Sequence, residues 1–198
     1  MGQSQTDLYM ASLVKRLDAR VEAIRAKAER IKQNYLNSKN FQDHESEANR
    51  IWLDGFAKGT GFDIACGDFV IANAESNTLG VDGAASMLGT DFCSEGDSLG
   101  FQKDSTLDYV VTNYLDGMGN PLKALSEWFR VIKPGGKVAV VCRDAEAYEG
   151  EVGVLSNARR QSCYTTRTLR NYLNRAGFTR VVVEKHPKTS SLRGSGVK

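Results

Sequence analysis

Apolar residues recur along this 198-residue chain with two different periods. Between Asp7 and Asn37 they alternate at steps of three and four, and this segment contains neither glycine nor proline. From about residue 60 they form short runs, separated by glycine and polar residues. The first pattern is typical of a helix with one apolar face, and short β-branched runs are typical of buried strands. The pattern therefore predicts one long helix followed by an α/β domain.

The apolar seam of segment 7–37 has two interpretations. It favours either an amphipathic helix packed on its own domain or on an acidic neighbour, or a coiled coil with another chain. Flanking basic residues such as Arg20 and Lys27 face only Asp18 as an opposing charge, which disfavours a simple homodimer. We expect this helix to be the place where a protein partner or self-association would act. Its seam consists of Met10, Val14, Leu17, Val21, Ile24, Ala28, Ile31 and Tyr35.

The remaining chain is predicted to alternate between strands and helices. Residues 38–50 are polar and predict a linker or loop, and residues 50–56 predict a short helix. A helix of one or two turns is expected around 69–73, and segment 83–91 is too short for more than a helical stub. Strands are expected at 62–65, 78–82, 92–93, 107–112, 137–142, 180–184 and 191–197.

Two later helices carry clear boundary signals. Asn120 and Pro121 stand at the N-cap and first helical positions of one helix, and Pro134 with the following glycines ends it. Thr165 or Thr166 can cap the next helix, which Gly177 ends.

The alternation predicts a Rossmann-like, doubly wound α/β fold. We expect about seven strands in a mostly parallel sheet, with the final strand antiparallel, preceded by the long N-terminal helix. The predicted domains are an N-terminal helical extension with a linker at 1–50 and the α/β domain at 51–198.

The candidate site lies between Gly61 and Asp82. A buried strand ends in the small residues Ala65 and Gly67, and the next strand ends on the carboxylate of Asp82. Ligands of open parallel sheets bind outside the carboxyl ends of the strands, where small residues let the backbone approach the ligand. An acidic residue about twenty positions past such a turn is placed to hold ribose hydroxyls. The segment therefore predicts a nucleoside-binding site.

Composition narrows the class of protein. The net charge of +2 gives no strong signal for nucleic acid, and no apolar run is long enough to span a bilayer. The polar first residues lack the apolar core of a signal peptide, and the four widely spaced cysteines read as free, buried thiols, so we expect a cytoplasmic protein. No metal site is expected, because neither histidine stands near a cysteine.

Four stretches together resemble the class I S-adenosylmethionine-dependent methyltransferases, especially the small-molecule, methyltransferase type 11-like group. Asp63-Ile-Ala-Cys-Gly67 resembles the first motif of that family, and Gly80-Val-Asp82 resembles its ribose-binding strand end. Gly96-Asp97-Ser98 resembles its adenine-recognising segment. Leu107–Gly136, with Arg130-Val-Ile-Lys-Pro-Gly-Gly136, resembles its fourth strand, helix and turn. The resemblance runs from about residue 62 to residue 198, and it departs from the family at Ala65, Phe69 and Gly117.

The resemblance implies S-adenosylmethionine as cofactor and S-adenosylhomocysteine as product. Asp82 would accept from both ribose hydroxyls, and Asp97 with the Ser98 amide would recognise adenine. The other implied cofactor-binding residues are Asp63, Ala65, Gly67, Asp68, Gly83, Asn113 and Tyr114. No catalytic residue is identified, and the candidates for a general base are Asp116, Arg143 and Tyr148, with Asp144 and Tyr164 beside them.

Three functions are compatible with the sequence. The leading hypothesis is a methyltransferase that moves a methyl group in line to a small-molecule or glycan acceptor. The alternative is a cofactor-binding protein with little or no activity, acting through its N-terminal helix as a partner or regulatory subunit. A nicotinamide-dependent oxidoreductase is the weakest, because the Gly-x-Gly-x-x-Gly turn is absent.

Overall fold

The computed structural model describes residues 41–85, 87–148, 161–186 and 189–198, with only the backbone for 41–46 and 148. The predicted helix at 7–37 lies outside these residues. The chain divides into two compact units, Met1–His44 and Glu45–Lys198, and nearly all described residues belong to the second. The α-helices of the described residues are α1 (Phe41–Asp54), α2 (Pro121–Val131) and α3 (Thr166–Arg175). The strands are β1 (Gly59–Ile64), β2 (Ser76–Asp82), β3 (Phe92–Cys93), β4 (Leu107–Thr112), β5 (Ile132–Arg143), β6 (Thr179–Lys185) and β7 (Ser191–Val197).

The seven strands form one sheet in the order β3-β2-β1-β4-β5-β7-β6. Strands β1 to β5 pair in parallel, and β7 pairs antiparallel with both β5 and β6. The predicted fold class is therefore confirmed. The strand order reverses between β1 and β4, and the crevice beside such a switch point is where open α/β sheets bind ligands.

Successive residues of the central strands point into two hydrophobic clusters, one on each face of the sheet. Val110 packs with α2 and α3 in the larger cluster, which is centred on the fully buried Trp128. Tyr109 and Val111 pack in the smaller cluster together with Leu53 of α1. The central strands are thus covered on both sides, which explains their continuous apolar runs.

The two connections before β3 differ from the prediction. The expected helix at 69–73 is wrong, since segment 65–75 consists of turns, and the described residues of 83–91 contain no helix either. Side chains bind the backbone there instead. Asp63 accepts the Ile71 N–H at 2.8 Å and Asp68 accepts the Leu88 N–H at 3.0 Å. These carboxylates satisfy amides that a helix would otherwise use.

The expected loop at 38–50 is also corrected, because residues from Phe41 onwards are helical. The later boundary signals are confirmed. Asn120 caps α2 by accepting the Lys123 N–H, and Thr165 caps α3 in a reciprocal capping box with Thr168. Gly177 follows α3 with a φ of +105°, which a side chain would strain.

A buried polar cluster joins α1 to β7. Arg193 is 9% exposed and donates from Nε and Nη2 to Asn49 Oδ1, each at 3.2 Å, and from Nη2 to the Ala48 carbonyl. Asn49 in turn donates to Ser191 Oγ at 3.1 Å. The guanidinium also lies 5.4 Å from the ring centroid of Trp52. Burial lowers the Arg193 pKa, so the charge depends on these acceptors.

Asn49→Leu is expected to lower the free energy of unfolding by about 2–4 kcal/mol, because it removes the side-chain acceptor of a buried cation. Adding Arg193→Met should recover part of that loss, since the unpaired charge is then gone. Urea unfolding measures both. Glu75→Leu, which breaks the exposed Lys58–Glu75 pair, is the control and should cost at most about 1 kcal/mol. Equal losses for the single and double variants would contradict this account.

Candidate functional site

A cavity of about 600 Å³ opens at the carboxyl ends of the central strands. It takes lining residues from the segments after β1, β2, β3 and β4, so all four strand ends meet there. Its charged lining residues are two carboxylates, Asp82 and Glu95. The described lining residues are Ala65, Asp82, Gly83, Ala84, Met87, Ser94, Glu95, Gly96, Tyr114, Gly117 and Met118.

The Asp82 carboxylate connects two segments of the cavity wall. Its Oδ2 accepts the Gly67 N–H at 3.0 Å, and its Oδ1 accepts the Ala84 N–H at 2.9 Å. The Asp82 carbonyl also accepts the Ser94 N–H at 3.0 Å, which brings in the segment after β3. An ionised carboxylate has about four lone-pair sites, so both oxygens can still accept from a ligand.

The turn after β1 has a left-handed backbone at two positions. Ala65 has a φ of +55° and Gly67 a φ of +61°. Glycine adopts this conformation freely, whereas alanine pays about 1–2 kcal/mol for it. The Ala65 N–H donates to the Val81 carbonyl at 2.7 Å, which stabilises the strained residue at the cavity wall.

Two glycines on the opposite wall are required by close packing. A Cβ at Gly96 would lie 2.6 Å from Ile64, and the Gly96 carbonyl accepts the buried Trp128 Nε1–H at 2.7 Å. A Cβ at Gly117 would lie 1.9 Å from the ring of Tyr114. Gly117 therefore gives the Tyr114 ring its place beside the cavity.

The structure brings four of the ten predicted cofactor-binding residues into the cavity lining: Ala65, Asp82, Gly83 and Tyr114. The other six lie outside it. Asp63 and Gly67 support the wall through the hydrogen bonds given above, and the exposed Asp68 holds Leu88. The Asp97 carboxylate is 3.3 Å from Lys123 Nζ on α2. Ser98 is exposed, and Asn113 is half-buried directly after β4.

Sequence reasoning missed seven lining residues: Ala84, Met87, Ser94, Glu95, Gly96, Gly117 and Met118. Ser94, Glu95 and Gly96 directly follow β3, so the strand-end rule that identified Asp82 could also have found them. No sequence signal marks Met118, because it comes to the cavity through the 3₁₀ turn Leu115–Gly117.

The base candidates do not line this cavity. Asp116 is fully buried in the 3₁₀ turn, and its carbonyl accepts the amides of Gln161 and Ser162 at 2.8 and 3.1 Å. Asp144 is buried 3.1 Å from Lys185 Nζ. Arg143 ends β5, and the backbone of Tyr148 belongs to a 3₁₀ turn, Ala145–Tyr148.

A second cavity, of about 280 Å³, shares Met118 with the first. Tyr164 on its wall is 4% exposed, and its hydroxyl lies 3.2 Å from Ser162 Oγ. Burial raises the Tyr164 pKa above its usual value, so the phenol stays protonated. The lining comprises Met118, Gly119, Pro121, Gln161, Ser162, Cys163, Tyr164, Thr168 and Tyr172.

The described ranges contain no group of three His, Cys, Asp or Glu side chains placed to hold a metal ion. None of their helices has the length and apolar character that a bilayer span needs. None of the four cysteines forms a disulfide bond; Cys66 and Cys142 are buried as expected, whereas Cys93 is exposed.

The buried carboxyl group of Asp63 gives the free energy of unfolding an unusual dependence on pH. The side chain is 2% exposed, and burial raises its pKa to about 7, although the Ile71 amide and Arg50 oppose the shift. Between pH 4 and 7 the folded chain thus holds a proton that the unfolded chain has lost, so the free energy of unfolding falls as pH rises.

We expect this residue to contribute a loss of about 2–3 kcal/mol between pH 5 and 8. Asp63→Asn keeps an oxygen for the Ile71 amide and should remove that contribution. Urea unfolding at both pH values measures the difference between variant and wild type. Asp68→Asn is the matched control and should keep the wild-type profile. A wild-type profile in Asp63→Asn would show that the carboxyl ionises normally.

One known protein family matches the part of the chain that contains several of these strand ends. The ubiE/COQ5 methyltransferase family model matches residues 81–161, the segment from the end of β2 past β5. No curated protein sequence matches the chain.

Solved structures share the fold at low identity. A SAM-dependent methyltransferase of Thermotoga maritima is 18% identical with a TM-score of 0.64, covering 77% of this chain and 89% of its own. An S-adenosylmethionine-dependent methyltransferase of Mesorhizobium loti is 17% identical with a TM-score of 0.61, covering 77% and 96%. Phosphoethanolamine N-methyltransferase 2 of Haemonchus contortus, solved with S-adenosyl-L-methionine, is 15% identical with a TM-score of 0.59, covering 77% and 52%. The resemblance seen in the sequence is thus confirmed, and the chain has the fold of the class I S-adenosylmethionine-dependent methyltransferases.

Proposed function

We propose that this protein transfers a methyl group from S-adenosylmethionine to a small-molecule acceptor. The observation that carries the proposal is the 600 Å³ cavity at the switch point of the sheet, with Asp82 on its wall and bare backbone beside it. The methyltransferase fold and the family match over residues 81–161 support the same cofactor.

The lining residues fit this cofactor. The volume lies within the range of about 300–1,000 Å³ usual for ligand sites. Asp82 and Glu95 make the wall negative, and the lining residues that the structure describes include no lysine or arginine. This suits a ligand that carries a sulfonium and an ammonium group. A dinucleotide would instead place a pyrophosphate there, so the wall does not favour the oxidoreductase alternative.

Each end of the cavity has its own residues in the proposal. Asp82 would accept from the ribose hydroxyls with the lone pairs that the two amides leave open. Gly83 and Ser94–Gly96 would offer backbone groups to the adenine, since the Asp97 side chain is paired with Lys123. Ala65 and Tyr114 would hold the methionine end.

The chemistry required of the protein is mainly alignment. When bound, S-adenosylmethionine supplies a methyl group that is already activated on a sulfonium sulfur. The protein would hold the acceptor in line with this methyl group, and such positioning can contribute on the order of 7–11 kcal/mol. A glycan acceptor stays compatible with this proposal. A general base is needed only for a poorly ionised acceptor.

No observation favours the alternative of a regulatory subunit with little activity, and the helix on which it depends lies outside the described residues. A protein partner or self-association through residues 7–37 remains a prediction. One similar structure is a complex with the Trm112 methyltransferase activator of Haloferax volcanii. The cytoplasmic location also remains a prediction.

Asp82→Asn is expected to weaken S-adenosylhomocysteine binding by about 100-fold or more, because two charge-assisted hydrogen bonds are lost. Isothermal titration calorimetry measures the change. Asp68→Asn is the matched control, since it alters an aspartate in the turn after β1 that accepts a backbone amide yet does not line the cavity. It should change the affinity by at most about twofold. Thermal unfolding of both variants separates binding from folding, and equal affinities would refute the role of Asp82.

The wild-type protein should transfer labelled methyl groups from S-adenosylmethionine to small molecules of a protein-free cell extract. Chromatography identifies the labelled product, and Asp82→Asn should lose at least about 90% of it at limiting cofactor. Tight cofactor binding without any labelled product, small or macromolecular, would instead favour the non-catalytic alternative.

A further inference from the structure

We propose that the second cavity is the acceptor site and that it takes an uncharged, single-ring molecule with a hydroxyl group. This inference rests on the methyltransferase function proposed above. It adds the place of the acceptor and its chemical class. The methyl group would bond to the hydroxyl oxygen of the acceptor, the sulfonium would become the thioether of S-adenosylhomocysteine, and the hydroxyl proton would leave to solvent.

The position of the cavity supports this role. Met118 lines both cavities, so a ligand in the second lies directly beside the first. The Asp116 carbonyl accepts the amides of Gln161 and Ser162, which fixes one wall of the second cavity to the 3₁₀ turn that carries Gly117 of the first. The two walls are therefore held in one arrangement.

The lining determines the charge of the ligand. The part of the wall that the structure describes contains amide, hydroxyl, thiol and thioether groups, but no Asp, Glu, Lys or Arg. Asp116 is fully buried and lines neither cavity. An ammonium, carboxylate or phosphate group would lose hydration here without an opposing charge on the described wall. An uncharged polar acceptor meets hydrogen-bond partners at no such cost.

The shape favours a ring. Tyr164 and Tyr172 meet edge to face, with ring centroids 5.7 Å apart, and form an aromatic wall. The volume of about 280 Å³ is at the small end of ligand sites. The Tyr164 hydroxyl and Ser162 Oγ lie on this wall and can pair with a hydroxyl of the ligand.

Three para-substituted phenols of similar size test whether the cavity selects an uncharged ligand: p-cresol is neutral, tyramine is a cation and 4-hydroxybenzoate is an anion. Their dissociation constants are measured by ligand-observed NMR on the protein saturated with S-adenosylhomocysteine. We expect p-cresol to bind at least about fivefold more tightly than either charged probe. Tighter binding of a charged probe, or no binding of any probe, would overturn the proposal.

Gly119→Leu tests the location. A Cβ at Gly119 meets only Gln161 Oε1, at 3.6 Å, so a side chain fits there and extends into the cavity. Gly100→Leu is the matched control, because Gly100 is equally exposed and a Cβ there meets nothing within 4 Å.

Gly119→Leu should weaken p-cresol binding by about tenfold or more and leave S-adenosylhomocysteine binding within about twofold of wild type. Gly100→Leu should change neither affinity. Unchanged p-cresol binding in Gly119→Leu would overturn the acceptor site alone. A wild-type protein that does not bind S-adenosylhomocysteine would overturn the proposed function itself.

Discussion

The shape of the cavity depends on the Asp82 carboxylate, whose two oxygens bind backbone amides of the cavity wall. Asp82 accepts backbone amides from the turn after β1 and from its own loop, while its carbonyl holds the segment after β3. The hydrogen bonds of this one residue thus hold the segments after β1, β2 and β3 in fixed positions relative to one another. Because these bonds fix both carboxylate oxygens, the group that we propose to bind the ribose is already oriented, which lowers the entropy cost of binding.

The described residues of the connections 65–75 and 83–91 contain no helix, so side chains must bind backbone amides that a crossover helix would satisfy by itself. Helices normally cover such connections and satisfy their amides internally. Here Asp63, Asp68 and Asp91 do this work, the last by accepting the Gly80 amide at 2.8 Å. The cost is visible at Asp63, whose pKa is raised mainly because its carboxyl group is buried, with a smaller contribution from the nearby charge of Asp82.

Sequence reasoning succeeded where a local rule determines the structure. The β-branched run 107–112, the Asn120 cap and the final antiparallel strand are short-range signals, and the structure follows them. It failed at 69–73, because propensity does not show that carboxylates elsewhere take up the amides. Asp97 has the residue type of a cofactor ligand, but Lys123, distant in sequence, pairs with it. Met118 depends on tertiary packing, which no local pattern reports.

The strand order has a consequence for synthesis on the ribosome. β7 is made last of the seven strands, but it lies between β5 and β6. Until it emerges, β6 has no neighbour in the sheet and β5 exposes a free edge with unpaired backbone groups. Such an edge can pair with another nascent chain. A nascent chain that stalls before residue 191 therefore has a sheet without β7. The open edge of β5 is then the part of the sheet that a chaperone would have to cover.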